Sequence, residues 1–118
     1  MERTAGPAAP VLDEAVLGEL ADRVGADQLS VFADMFRAQA AELRAAIDAA
    51  DTAVLGREAH SMVSAAGLLG LSQLMETCRA VLAAEREAPG AMLAAATDLK
   101  PVIEAALAAL AARFPDAG

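Results

Sequence analysis

Apolar residues recur at three- and four-residue spacing along most of this chain, the period of helices that each bury one face. Val16, Leu17 and Leu20 give an apolar side to a short first helix, about Glu14 to Val24, with Asp13 placed to cap it and Gly25 to end it. Leu29, Phe32, Phe36, Leu43 and Ile47 mark the buried side of a second helix, about Gln28 to Ala50, with Asp27 as its cap. Arg37, Glu42, Arg44 and Asp48 fall on its wet side. Asp51 or Thr52 caps a third helix that ends near Gly70 and carries Leu55, Ala59, Met62, Ala66 and Leu69 as one stripe. Ser72 is placed to cap a fourth, reaching about Ala88, with Leu74, Cys78, Val81 and Leu82 facing inward; Pro89-Gly90 then breaks the chain.

The last segment, Ala91 to Phe114, keeps helical spacing through Met92, Leu99, Ile103, Ala106 and Leu110, but Pro101 interrupts it. A proline removes a backbone donor and clashes with the carbonyl four residues earlier, which costs about 3 kcal/mol in a helix interior. The expectation is one kinked helix. The alternative is a fresh helix capped by Thr97 or Asp98, with Pro101 in its first turn. Residues 1–10 read as a mobile tail and 11–116 as the domain. Short connections make neighbouring helices antiparallel. The expected fold is therefore all-α: an up-and-down antiparallel four-helix bundle, with the additional short N-terminal helix covering one end.

Composition agrees with that class. The 118 residues suit one domain, and 57% are hydrophobic with only 3% aromatic, so helix-forming alanine and leucine dominate. A formal net charge of −8 argues against nucleic acid and against an anionic membrane surface, both of which need a basic footprint. No apolar run approaches the ~20 residues of a membrane-spanning helix, and a cytoplasmic location is expected. One cysteine and one histidine exclude an internal disulfide and leave little for a metal site. No cofactor is expected. Cys78 falls in an apolar stripe, as a small core residue does.

The one histidine, His60, lies roughly 140° around its helix from the centre of the apolar stripe, so it points to solvent. Ala53, Gly56, Val63, Ser64 and Gly67 surround it on that side, leaving the imidazole on a bare patch that another protein can approach. Each glycine costs roughly 0.8–1.0 kcal/mol in a helix interior. Close helix packing would explain them. Their position on the His60 side favours access to the imidazole instead.

Around these residues the chain resembles the histidine phosphotransfer (HPt) family, whose pattern is close to A-H-x-L-K-G-S-A-x-x-L-G, with a leucine and a cysteine on the next helix. Ala59, His60, Ala66, Leu69, Gly70, Leu74 and Cys78 match, and Met62 replaces the leucine. Phe36, Leu43 and Ile47 match the spacing on the preceding helix. The likeness covers about residues 11–114. Three positions depart: Val63 stands for the family's lysine, Ser64 for its glycine and Ala65 for its serine. Leu82 stands where a glutamate is often found.

The resemblance implies a phosphoryl carrier rather than an enzyme. His60 would take the group from the aspartyl phosphate of a response-regulator receiver domain, or straight from a histidine kinase, with magnesium and the catalytic acids on the partner. A neutral imidazole offers one ring nitrogen with a free lone pair for in-line attack. Arg57, three residues before His60, is the candidate replacement for the lysine, with Gln39 or Arg44 of the preceding helix as further candidates. Gly56, Val63, Ser64, Gly67 and Leu68 form the expected partner-docking rim. The alternative is a binding module that keeps the fold and docks a kinase or receiver without phosphotransfer. Nothing resembles an enzyme's triad, phosphate loop or metal cluster.

Overall fold

A computed structural model describes residues 9–114, and every regular element in that span is an α-helix. Helix α1 covers Glu14–Ala49, α2 Thr52–Leu69, α3 Ser72–Glu87, α4 Ala91–Ala96 and α5 Leu99–Arg113. Of the expected tail, residues 1–8 lie outside the described residues. Pro10 already accepts a hydrogen bond from the Gln73 backbone N–H at 2.9 Å.

The expected first and second helices form one element broken at Gly25, whose φ of 85° and ψ of 163° are far from helical. Glycine alone reaches that region without a Cβ clash. Helical geometry resumes at once, so Asp27 lies within α1 and accepts no backbone hydrogen bond among the described residues. Asp13 does cap α1, accepting from the N–H groups of Ala15 and Val16. Asp51 caps α2 by accepting from Val54. Gly70 closes α2 in the left-handed conformation, φ 81°, the commonest way to satisfy a helix's last carbonyls.

Two boundaries differ from expectation. Ser72 does not cap α3: it is the first residue of that helix, and its hydroxyl donates to the Gly70 carbonyl while Leu71 stands at the cap. The last segment is not one kinked helix. It divides into α4 and α5, with Thr97 and Asp98 between them bonded back to Ala94 and Ala95. Pro101 is then the third residue of α5, where its missing N–H leaves no intrahelical bond unmade.

The helices bury a single apolar core. Leu17, Leu20, Leu29, Phe36 and Leu43 of α1 meet Leu55, Met62 and Leu69 of α2, Leu74, Cys78 and Val81 of α3, and Leu99, Ile103 and Leu110 of α5. Phe32, Ile47 and Leu82 are only partly buried. Helix α1 packs on α2 and α5, and α3 packs on α2, α4 and α5. Arg44–Glu104 at 2.9 Å and Lys100–Asp48 at 2.5 Å join α1 to α5 at the surface. The arm of α1 before Gly25 lies against the α2–α3 turn, where the Asp13 N–H donates to the Gly70 carbonyl at 2.7 Å. Among the described residues, no helix is long and apolar enough to cross a membrane.

Candidate functional site

Leu55, Ala59, Met62, Ala66 and Leu69 are the buried residues of α2. They occupy one side of the helix, and the opposite side must therefore face water. His60 is exposed there, together with Ala53, Arg57, Ser61, Ser64 and Leu68. The small side chains at Ala53, Ser61 and Ser64 leave the imidazole unshielded. The helix presents the ring on a rigid element rather than on a loop, which fixes its direction of approach.

The flanks of this exposed arc are occupied. A Cβ built on Gly67 would stand 3.0 Å from Sδ of Met75 on α3, and one on Gly56 would stand 3.8 Å from Cε of Met92 on α4. Both glycines thus lie on the seam where the next helices approach α2. This corrects the expectation for Gly67, whose missing side chain makes room for Met75; at Gly56 a side chain would make only ordinary contact with Met92. Val63 is also partly buried against the core rather than standing beside the ring as an open rim. Of the expected docking residues, Ser64 and Leu68 remain exposed.

The other flank faces α1. There Phe32, Met35, Phe36, Gln39, Ala65, Leu68 and Leu69 line a small, mostly apolar groove of about 150 Å³. Gln39 sits in this groove, and Ala65 lies roughly 140° around α2 from His60. Gln39 makes no hydrogen bond to the imidazole among the described residues, and the Arg44 guanidinium is engaged by Glu104 on the α5 side of α1. Arg57 is exposed on the same arc as His60 and pairs with neither Glu42 nor Glu58 among the described residues.

Sequence reasoning missed Met35. Its side is 61% exposed, with Val31 at 47% and Leu68 at 42%, and these are the large exposed apolar residues among those described. Met35 and Leu68 share the groove, and Val31 is one turn from Met35 on α1. The signal was there: Val31 and Met35 are apolar residues standing off the stripe of their helix. Cys78 offers no chemistry. It is buried, and burial pushes its thiol up to about 12, which keeps it protonated and inert.

An exposed imidazole thus stands on α2, and a small, mostly apolar groove lies between α2 and α1. Compared with known proteins, the chain matches a family model described as "Hpt domain" over residues 27–113. No curated protein and no solved structure matches it.

Proposed function

The chain belongs to the Hpt domain family, whose members carry phosphoryl groups on histidine in two-component signalling, and from that premise we propose that His60 is the phosphoryl acceptor. The donor is an aspartyl phosphate on a response-regulator receiver domain, or a phosphohistidine of a kinase; a second receiver takes the group onward. In the transfer from a receiver, the Nε2 lone pair attacks phosphorus in line with the aspartyl oxygen. The N–P bond forms as the P–O bond breaks, the aspartate leaves as carboxylate with the electron pair, and Nδ1 keeps its proton. The donor supplies the catalytic groups. This domain supplies the nucleophile and the surface that orients it, in the cytoplasm.

One observation carries this reading: the chain's only histidine stands exposed in the middle of α2, opposite the buried stripe. The groove of Phe32, Met35 and Leu68 supports docking of a receiver's apolar face next to the ring, and Gln39 contributes a polar contact within it. Arg57 lies on the same arc, within reach of phosphoryl oxygens. The test is transfer of label from a phosphorylated receiver or kinase to the wild type and to His60→Gln. The expected result is acid-labile, base-stable label on the wild type alone.

A second reading has one observation in its favour. Val63 stands where the family pattern has its lysine, so α2 carries no cation three residues after His60. In that reading the fold docks a kinase or receiver without accepting phosphate. Binding that survives His60→Gln, with no label on the wild type from any donor it binds, would establish it.

A further inference from the structure

The arm of α1 before Gly25 is latched at its far end and exposed at its bend. The latch lies over residues 10–20. The Gln73 N–H donates to the Pro10 carbonyl at 2.9 Å, the Asp13 N–H donates to the Gly70 carbonyl at 2.7 Å, and Glu14 pairs with Arg113 of α5. Leu17 and Leu20 are buried, and Ala21 and Val24 are partly buried against the core. At the bend, Gly25, Ala26, Asp27 and Gln28 are all exposed, and a Cβ on Gly25 meets nothing within 4 Å among the described residues. Glycine permits this bend without imposing it, since Gly18 in the same element stays helical. The bend is what the docked arm demands of residue 25.

A straight α1 of 36 residues would run roughly 54 Å, at about 1.5 Å per residue. The longest extent of the molecule is 42 Å. The arm of a straight α1 therefore projects beyond its own bundle. It carries Leu17 and Leu20 into water and leaves their seat at the α2–α3 turn empty. A second copy in the same state offers that seat and needs that arm. Exchange restores the arm's contacts in both chains, so the folded-back monomer and the exchanged pair differ in the two bends and in the entropy of pairing.

We infer that the arm of α1 is an exchangeable strap: Gly25 is its hinge, and straightening there seats residues 14–24 on a second copy of this chain. The bend has φ 85° and ψ 163°, a region open to glycine and closed to residues that carry a Cβ. Glycine at this one position thus keeps the strap on its own bundle. An exchanged pair carries two complete His60 faces, because α2 lies outside the arm. Exchange is independent of phosphoryl transfer.

The test closes the hinge and reads which chain the arm touches. Gly25→Ala forbids the bend, and each exchanged pair relieves two bends worth about tenfold or more apiece. The concentration at which half the chains are paired therefore falls on the order of 100-fold, read by size-exclusion chromatography with light scattering. Gly90→Ala, at nearly the same φ but away from the hinge, pairs no more than the wild type. Gly25→Ala combined with Leu68→Ser still pairs, because the seam is the arm and not the exposed apolar groove. Arg113→Lys lets a zero-length carbodiimide join Glu14 to position 113. The link forms within one chain in Arg113→Lys and between chains in Arg113→Lys with Gly25→Ala. With the native hinge, a minority of links between chains forms when Arg113→Lys is refolded at concentrations on the order of 1 mM, and this measurement decides should Gly25→Ala not fold. A folded, monomeric Gly25→Ala overturns the inference. So does pairing lost with Leu68→Ser, or links confined to single chains under both hinges.

Discussion

Gly70 joins three parts of the molecule, and replacing it by alanine isolates what that junction contributes. Gly70 and Gly90 have nearly the same left-handed backbone, φ 81° and 89°. An alanine in that conformation costs roughly 1–2 kcal/mol at either site. Their surroundings differ. A Cβ at Gly90 meets nothing within 4 Å, whereas one at Gly70 falls 2.7 Å from the Asp13 carbonyl oxygen and 3.2 Å from the Val16 side chain. The Asp13 segment must move, and with it goes the 2.7 Å hydrogen bond from Asp13 to the Gly70 carbonyl. That bond contributes about 1 kcal/mol, and displacing the arm re-exposes part of Leu17 and Leu20, which are 0% and 2% exposed. Gly90→Ala should therefore lose about 1 kcal/mol and Gly70→Ala about 3 kcal/mol. Urea titrations followed by circular dichroism measure both, and the corresponding falls in Tm are about 4 °C and 12 °C. Amide exchange should quicken in the arm before Gly25 in Gly70→Ala only. Equal losses in the two variants would refute the docking of that arm on the α2–α3 turn.

Further outcomes follow from the same geometry. Met35→Ser and Leu68→Ser should each weaken receiver binding about fivefold, the effect of roughly 1 kcal/mol of apolar contact, with Tm unchanged because both side chains are exposed; unchanged affinity in a direct binding titration removes the groove from the interface. Ser64→Arg should leave stability intact and block phosphoryl transfer by filling the approach to His60; normal transfer rates would show that the approach lies elsewhere. Cys78 should resist alkylation in the native protein at pH 8, since burial holds its thiol near 12. Protonation is complete far below that value, so its labelling rate should rise only as urea populates the unfolded chain; fast native labelling would contradict its burial. Pro101→Ala should change stability by less than about 1 kcal/mol, as fits a proline in a first turn; a gain near 3 kcal/mol would restore the continuous helix.

Local chemistry wrote much of this molecule into its sequence. Asp13 and Asp51 cap helices because their carboxylates reach backbone N–H groups a few residues on, and Gly25 and Gly70 stop or break helices because only glycine enters those backbone regions at little cost. The 3.6-residue period placed Leu55, Met62 and Leu69 inside and His60 outside, because one buried stripe fixes the opposite face. Pro101 shows the limit of such signals. Its ring is compatible with either a kink or a first turn, and the neighbouring backbone bonds at Thr97 and Asp98 decide.

What lies on each flank of a helix depends on which helix packs there, and periodicity along one segment is silent on that. Gly67 reads in sequence as an open approach to the imidazole, but Met75 of α3 packs against it. Val31 and Met35 become one surface with Leu68 only when α1 and α2 come together. The helices, and the face that carries the histidine, follow from interactions a few residues long and are legible along the chain. The neighbours of that histidine come from the register and order in which the helices pack, which no single segment encodes.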